Sequence, residues 1–326
     1  VSDAFDAVCE TARAAMERSR VPGVSLGVSF EGEDEIAGFG VTSGEHPLLV
    51  EERTLFQIGS ITKTFTGTLV MRLVEDGLLD LDEPVRTYLP ALRLADDDVA
   101  RRVTMRHLLT HTGGWEGDYF DDFGSGDDAL ARMVDAVAEL PQVTPLGEIW
   151  SYNNAGFYIA GRVVEVVSGK TFETAMRERV LEPLELRMTF FFADEVMTHR
   201  FAVGHRITDD EVTVARPWPI GRAVHPAGGV ICSIRDLLLY ARFQMGEGTP
   251  LLSAESMALM RTPHASAEGR DEIGLTWFIH PLDGGTTLVH RGSTNGQTSS
   301  LEISRERAFA VVIFANGLPG GGQLVR

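Results

Sequence analysis

Apolar residues recur at helical spacing near the start of the chain. Phe5, Val8, Ala12, Ala15 and Met16 share one face of a helix expected over residues 3–18. Pro22 and Gly23 end that segment. Val24 to Phe30 and Glu35 to Val41 then read as two strands, joined by the turn-forming run Glu31-Gly32-Glu33-Asp34. Thr54 to Ile58 reads as a third, short strand. After Gly59-Ser60-Ile61-Thr62-Lys63, the residues Ile61, Phe65, Leu69 and Leu73 recur every four positions, and Gly77 stops this helix at C′. From about 80 to 225, short helical segments starting at Thr104, Asp127, Asn154 and Thr171 alternate with Pro- and Gly-containing loops. Strand patterns return at Leu275 to His280, Thr286 to His290, Thr298 to Ile303 and Phe309 to Phe314. The turn residues between them predict antiparallel hairpins.

Strands, then helices, then strands predict an α+β fold. The two ends close into one antiparallel sheet flanked by helices, and the helical middle forms a second lobe. The expected organisation is a single domain over 1–326, with an α/β lobe from about 1–58 and 225–326 and a mostly helical lobe over about 59–224. A cleft between the lobes is the natural place for a site.

Ser60 and Lys63 stand one helical turn apart on the same face. A serine hydroxyl needs a neighbour to take its proton before it can attack a carbonyl, and a lysine of lowered pKa can do so. The start of a helix also favours developing negative charge. Alone, such a serine is more often a helix cap. Further along, Tyr152-Asn153-Asn154 offers a phenol that can relay protons and an amide two residues on that can hold a substrate carbonyl or orient the lysine. His290-Arg291-Gly292-Ser293 ends a late strand. There Gly292 permits close approach of substrate to backbone, and the Ser293 N–H can join that of Ser60 as an oxyanion hole.

Composition narrows the alternatives. The chain has 326 residues, 44% of them hydrophobic, enough for a large core. Its net charge of −18 repels nucleic acid and anionic membranes. No apolar run approaches the roughly 18 residues that cross a bilayer. No basic-then-apolar leader opens the sequence at Val1, and the compartment is left open. Cys9 and Cys232 define no disulfide framework and read as small buried residues. Neither a dinucleotide fingerprint nor a phosphate-binding GxxxxGK[ST] run is present, so no cofactor is expected.

The order Ser-x-x-Lys, Tyr-x-Asn, His-x-Gly, at gaps of about 90 and 140 residues, resembles the class C β-lactamase and penicillin-binding-protein superfamily of serine hydrolases. Phe56 to Lys63, His107-Leu108-Leu109-Thr110-His111-Thr112-Gly113-Gly114, Gly228 to Ser233 and His290 to Gly296 are similar to that family too, so the resemblance spans about residues 20 to 317. It implies a β-lactamase/transpeptidase-like fold. Ser60 would be the nucleophile, Lys63 and Tyr152 would manage its proton, and Asn154, His290 and Gly292 would bind substrate. Which of Lys63 and Tyr152 is the base stays open. Family members usually close with a C-terminal helix on the sheet, expected here to be short, absent or missing. β-Lactamases and DD-peptidases of the superfamily usually carry lysine where this chain has His290. With a reference pKa of about 6.5, histidine makes that charge optional at neutral pH. His-x-Gly versions resemble esterases, D-aminopeptidases and D-amino-acid amidases. The expected substrate is therefore a small-molecule or short-peptide acyl compound, a D-peptide or amide nearly level with an ester and a true β-lactam third. A penicillin-binding sensor that acylates without turnover, and an assembly scaffold, are the non-enzymatic alternatives.

Other motifs carry less. Gly23-Val24-Ser25-Leu26-Gly27 matches a nucleophile elbow, but a helix precedes it and a strand follows, so Ser25 is expected to be a strand serine. His107 and His111 have the spacing of a zinc pair without the glutamate after the first histidine, and no metal is expected. Ser233-Ile234-Arg235-Asp236 reads as a capping box. Asp121-Asp122 and Asp127-Asp128 read as a solvated loop.

Overall fold

The computed structural model describes residues 2–246, 251–282 and 284–325. Among these, eight strands form one antiparallel sheet. Its order is Glu33–Gly40, Gly23–Phe30, Phe309–Ala315, Thr298–Ser304, Gly285–Ser293, Phe278–Leu282, Glu272–Ile273 and Ala265–Ser266. The early hairpin thus lies beside the last strand, with Val28 opposite Val311. This is the α+β arrangement that the strand–helix–strand pattern predicts.

Period-two alternation gives the sheet two apolar faces. On one, Val24, Leu26 and Ile313 pack with Phe5 and Met16 of the helix Ser2–Ser19. On the other, Leu301, Val312 and Phe314 join the main core with Leu237 and Leu238 of the helix Ile234–Met245. The helix Thr62–Glu75 lies within this core, with eleven of its fourteen residues buried. A helix enclosed on nearly every side cannot shift without repacking its neighbours. Phe65 stacks on Tyr240 at 3.9 Å between ring centroids, which locks this helix to Ile234–Met245.

Tertiary hydrogen bonds overrule local pattern in three places. Of the strand expected over Thr54 to Ile58, only Phe56–Gln57 pairs as a strand. It does so with Ile231–Cys232, in a small sheet apart from the main one. The backbone of Leu55 bonds instead to Arg200 and Ala202. The strand expected from Leu275 begins at Phe278, because residues 274–277 form a turn in which Thr276 has φ +74° and donates its N–H to Leu109 O. The capping box at Ser233 is only half made. Ser233 Oγ accepts from Asp236 N and donates to Asp236 Oδ1 at 3.4 Å, but the other carboxylate oxygen accepts from Met188 N and Thr189 Oγ1, and the Ser233 N–H donates to Met188 O instead of the carboxylate. Toward its end the described chain carries a four-residue helix, Gly321–Leu324, in a cluster with Phe5 and Met16.

Phe65→Ala should lower the unfolding free energy by about 3–5 kcal/mol in urea titrations, the cost of removing a fully buried ring. A change below about 1 kcal/mol would mean that this helix is not gripped as its packing implies.

Candidate active site

Ser60 lies in a single 3₁₀ turn, Gly59–Ile61, that leads into the helix Thr62–Glu75. It is therefore just ahead of the α-helix rather than in its first turn. The three-residue spacing still brings Lys63 Nζ to 3.2 Å from Ser60 Oγ. The same Nζ donates to Ala227 O at 2.8 Å. Two threonines of this helix hold the same segment. Thr66 Oγ1 donates to Pro226 O at 2.7 Å, and Thr62 Oγ1 accepts from Val230 N at 3.0 Å. Three side chains thus fasten the helix face to residues 226–230 and fix where the amine sits.

A buried ionic network supports that segment. Glu173 accepts from His225 Nδ1 at 2.7 Å and from Arg222 Nε at 3.2 Å. Burial pushes the Glu173 carboxyl up, but its bonds from His225 and Arg222 prevail and bring it down to about 2.

Lys63 is fully buried. Loss of water disfavours its ammonium and lowers its pKa from 10.5 to about 7, with the charge of Asp118 opposing. The ring centroids of Tyr152 and Phe157 lie 4.9 and 5.3 Å from Nζ. Burial drives the Tyr152 phenol well above its usual range, the Ser60 hydroxyl opposing and Asp118 adding to the rise. His111 stacks on Tyr152 at 4.5 Å, and its Nδ1 accepts from Asn153 N at 2.9 Å. His107 instead bonds Thr104 at the start of its own short helix.

The two asparagines divide their work. Asn153 donates to Trp115 O at 2.7 Å and accepts from Gly156 N at 2.7 Å. Asn154 Nδ2 donates to Asp118 Oδ1 at 2.9 Å rather than contacting Lys63.

His290 corrects the expectation of an optional charge. It is 1% exposed, and burial, aided by the nearby Lys63 charge, pushes its pKa down to about 3. It is a neutral imidazole whose Nδ1–H donates to Arg291 O at 2.8 Å. Its Nε2 is a bare acceptor, buried without a partner. Arg291 pairs with Glu302 at 3.3 Å. Gly292 is closely packed. A methyl built there would lie 1.9 Å from Ile58 O and 2.7 Å from Ser299 Oγ, so its missing side chain admits the Ile58 backbone. The Ser293 amide does face the turn that carries Ser60, since a methyl on Gly59 would sit 2.6 Å from Ser293 N. Beside Tyr152 and His290 opens a cavity of ≈ 580 Å³, lined also by Trp150, Phe278, Val289 and Arg291.

The remaining candidates lie elsewhere. Ser25 is buried in its strand, opposite Phe314. Cys232 is buried, whereas Cys9 is only half-buried because it sits on the helix Ser2–Ser19 outside the sheet. Asp127 and Asp128 are exposed and pair with Arg222 and Arg132. Sequence reasoning missed Asp118, Glu173 and the Ala227 carbonyl. No motif marks them, because tertiary contact alone brings them to the site.

A family model described as beta-lactamase matches residues 9–325. The chain belongs to that family. Penicillin-binding protein 4 of Amycolatopsis lactamdurans is 35% identical over 311 residues, 91% of this chain and 81% of that protein. Among solved structures, the octameric penicillin-binding protein homologue from Pyrococcus abyssi superposes with a TM-score of 0.87 at 26% identity, over 98% of this chain and 75% of that one. SurE crystallised with D-Leu superposes at 0.83 and 28% identity, over 99% and 74%. This beta-lactamase-family chain is thus a member of a serine hydrolase superfamily. Among the described residues no helix is long and apolar enough to cross a membrane.

Glu173→Gln should loosen the turn beneath Lys63. Because the folded carboxyl is depressed, its stabilisation is complete above its ordinary value of 4.5 and fades as pH falls toward 2. The wild-type melting temperature should therefore fall more steeply than that of the variant between pH 5 and 2.5, the variant being about 2 kcal/mol less stable at neutral pH. Parallel curves would remove this carboxylate from the support of Lys63.

Proposed function

We propose that the protein hydrolyses amides or short peptides of D-amino acids, or esters, through an acyl-enzyme on Ser60. The observation that carries this reading is the 3.2 Å contact of Ser60 Oγ with a buried amine whose pKa falls to about 7. Near neutral pH a large fraction of Lys63 is the free base, while the Tyr152 phenol keeps its proton. That contrast favours Lys63 as the base and Tyr152 as the donor.

Lys63 Nζ takes the hydroxyl proton as Ser60 Oγ bonds to the carbonyl carbon. The Ser60 and Ser293 amides receive the negative oxygen. The carbonyl re-forms as the bond to the leaving nitrogen or oxygen breaks. Tyr152 protonates that atom and regains a proton from Lys63. Water then attacks the ester by the same route in reverse, releasing the acid and restoring Ser60. His290 and Asn154 flank the acyl compound.

The neutral His290 places no fixed cation where a penicillin carboxylate would need one, which ranks β-lactams below amides and esters. The likeness to a protein solved with D-Leu supports the D-amino-acid branch.

Ser60→Ala should abolish turnover of D-alanine p-nitroanilide and p-nitrophenyl butyrate, while Ser25→Ala keeps it and nitrocefin is the poorest substrate. Turnover surviving in Ser60→Ala would sink the mechanism, and stoichiometric acylation without turnover would move the protein to the sensor class.

The pH dependence follows from the same base. Neutral Lys63 is the active form, so kcat/KM should rise through about pH 7 and level off above it. A flat profile from pH 5.5 to 8.5 would exclude Lys63 as the titrating base.

A further inference from the structure

The segment after Trp115 runs along the chain around Tyr152 and is tied to it. Asn153 Nδ2 donates to Trp115 O at 2.7 Å. Asn154 N and Ala155 N both donate to Gly117 O at 3.1 Å. Asn154 Nδ2 donates to Asp118 Oδ1 at 2.9 Å. The approach at Gly117 is so close that a methyl there would lie 2.6 Å from Tyr152 O and 2.7 Å from Asn153 Cα. Three hydrogen bonds and a glycine contact therefore fix the backbone of 115–117 against 152–155, and a fourth bond ties the Asp118 carboxylate to Asn154.

That carboxylate is exposed and acts electrostatically on Lys63, Tyr152 and Tyr158. Among the described residues, its one recorded bond is from the neutral Asn154 amide, and no arginine, lysine or histidine pairs with it. The His290 side chain brings no charge either. The carboxylate acts on Lys63, which is itself partly neutral near pH 7, and it has no ion-pair partner among the described residues. It favours the charged form of Lys63, the form that cannot accept the serine proton. A cationic group on the substrate would offset both effects at once.

We propose that Asp118 holds the ammonium group of the acyl donor, so that preferred substrates carry an unblocked amine close to the scissile carbonyl. Amino-acid amides, amino-acid esters and peptides cleaved after a free N-terminal residue belong to this class. The inference rests on the hydrolase reading above and narrows it. Asp118 is a specificity-determining residue in this scheme. Filling its site also assists the base, because the bound ammonium cancels the anion that holds Lys63 protonated.

The test compares D-alanine p-nitroanilide with its N-acetyl derivative in the wild type and in Asp118→Asn. Asparagine keeps an oxygen for the Asn154 bond and removes only the charge, and equal melting temperatures would confirm an intact fold. The wild type should prefer the free amine, and Asp118→Asn should lose that preference by about tenfold in kcat/KM, mostly through KM. In parallel, 1-aminoethylboronic acid and its N-acetyl form, which bond to the serine oxygen, are titrated calorimetrically against both proteins. A free-amine preference that disappears in Asp118→Asn supports the proposal even where turnover is slow. Equal handling of free and acetylated compounds by the wild type, or a preference unchanged by Asp118→Asn, would overturn it. Failure of the hydrolase reading looks different: Ser60→Ala would leave every turnover signal in place.

Discussion

The burial of one amine organises the site. Lys63 Nζ has no access to water, so its position and charge are set by what the protein places around it. It is held between Ser60 Oγ and Ala227 O, and the two threonines on either side of it bond the same 226–230 segment. The segment in turn stands on the Glu173–His225–Arg222 network. An ammonium ion would not be buried in such surroundings without cost, and its pKa falls accordingly. The large core, the enclosed helix and the buried ion pair beneath it have a common result, an amine that is partly neutral near pH 7 and 3.2 Å from a hydroxyl.

The sheet closes the site from the other side. Gly285–Ser293 can approach the Ser60 turn only because Gly292 has no side chain to meet Ile58 O, and Ser299 Oγ then donates to that same oxygen at 2.8 Å. The glycine of the His-x-Gly motif is therefore a packing requirement first. It sets the Ser293 amide next to the Ser60 turn. The motif and the fold cannot be separated here, since the strand that carries one builds the other.

Much of this was legible in the sequence because it is local. A three-residue spacing puts Ser60 and Lys63 on one face whatever surrounds them. That the two ends of the chain share one antiparallel sheet followed from the strand patterns at both ends. What could not be read was set by burial and by distant partners. The reference pKa of histidine says nothing about how deeply His290 is enclosed, and enclosure removes its charge. The start of the strand expected at Leu275 moved to Phe278 because Thr276 bonds Leu109 O, far away in sequence. Asp118 lies 36 positions before Asn154, outside every motif, and only the folded strap brings it alongside.

The electrostatic character of the cleft follows from these same two departures. A lysine at position 290 would have placed a second, fixed positive charge beside Lys63. Burial of a histidine there leaves an aspartate, a proton-poor amine and a phenol that holds its proton. Under the proposed scheme such a site would disfavour carboxylates and favour ammonium groups, and in a chain of net charge −18 the long-range field acts in the same direction. Specificity in this scheme is a matter of charge balance. The reacting serine is served by a lysine that works only when neutral, so a substrate bringing its own positive charge to Asp118 improves both its binding and the readiness of the base. The proposal thus couples selectivity and reactivity through a single carboxylate, which would tie the choice of substrate to the protonation of Lys63.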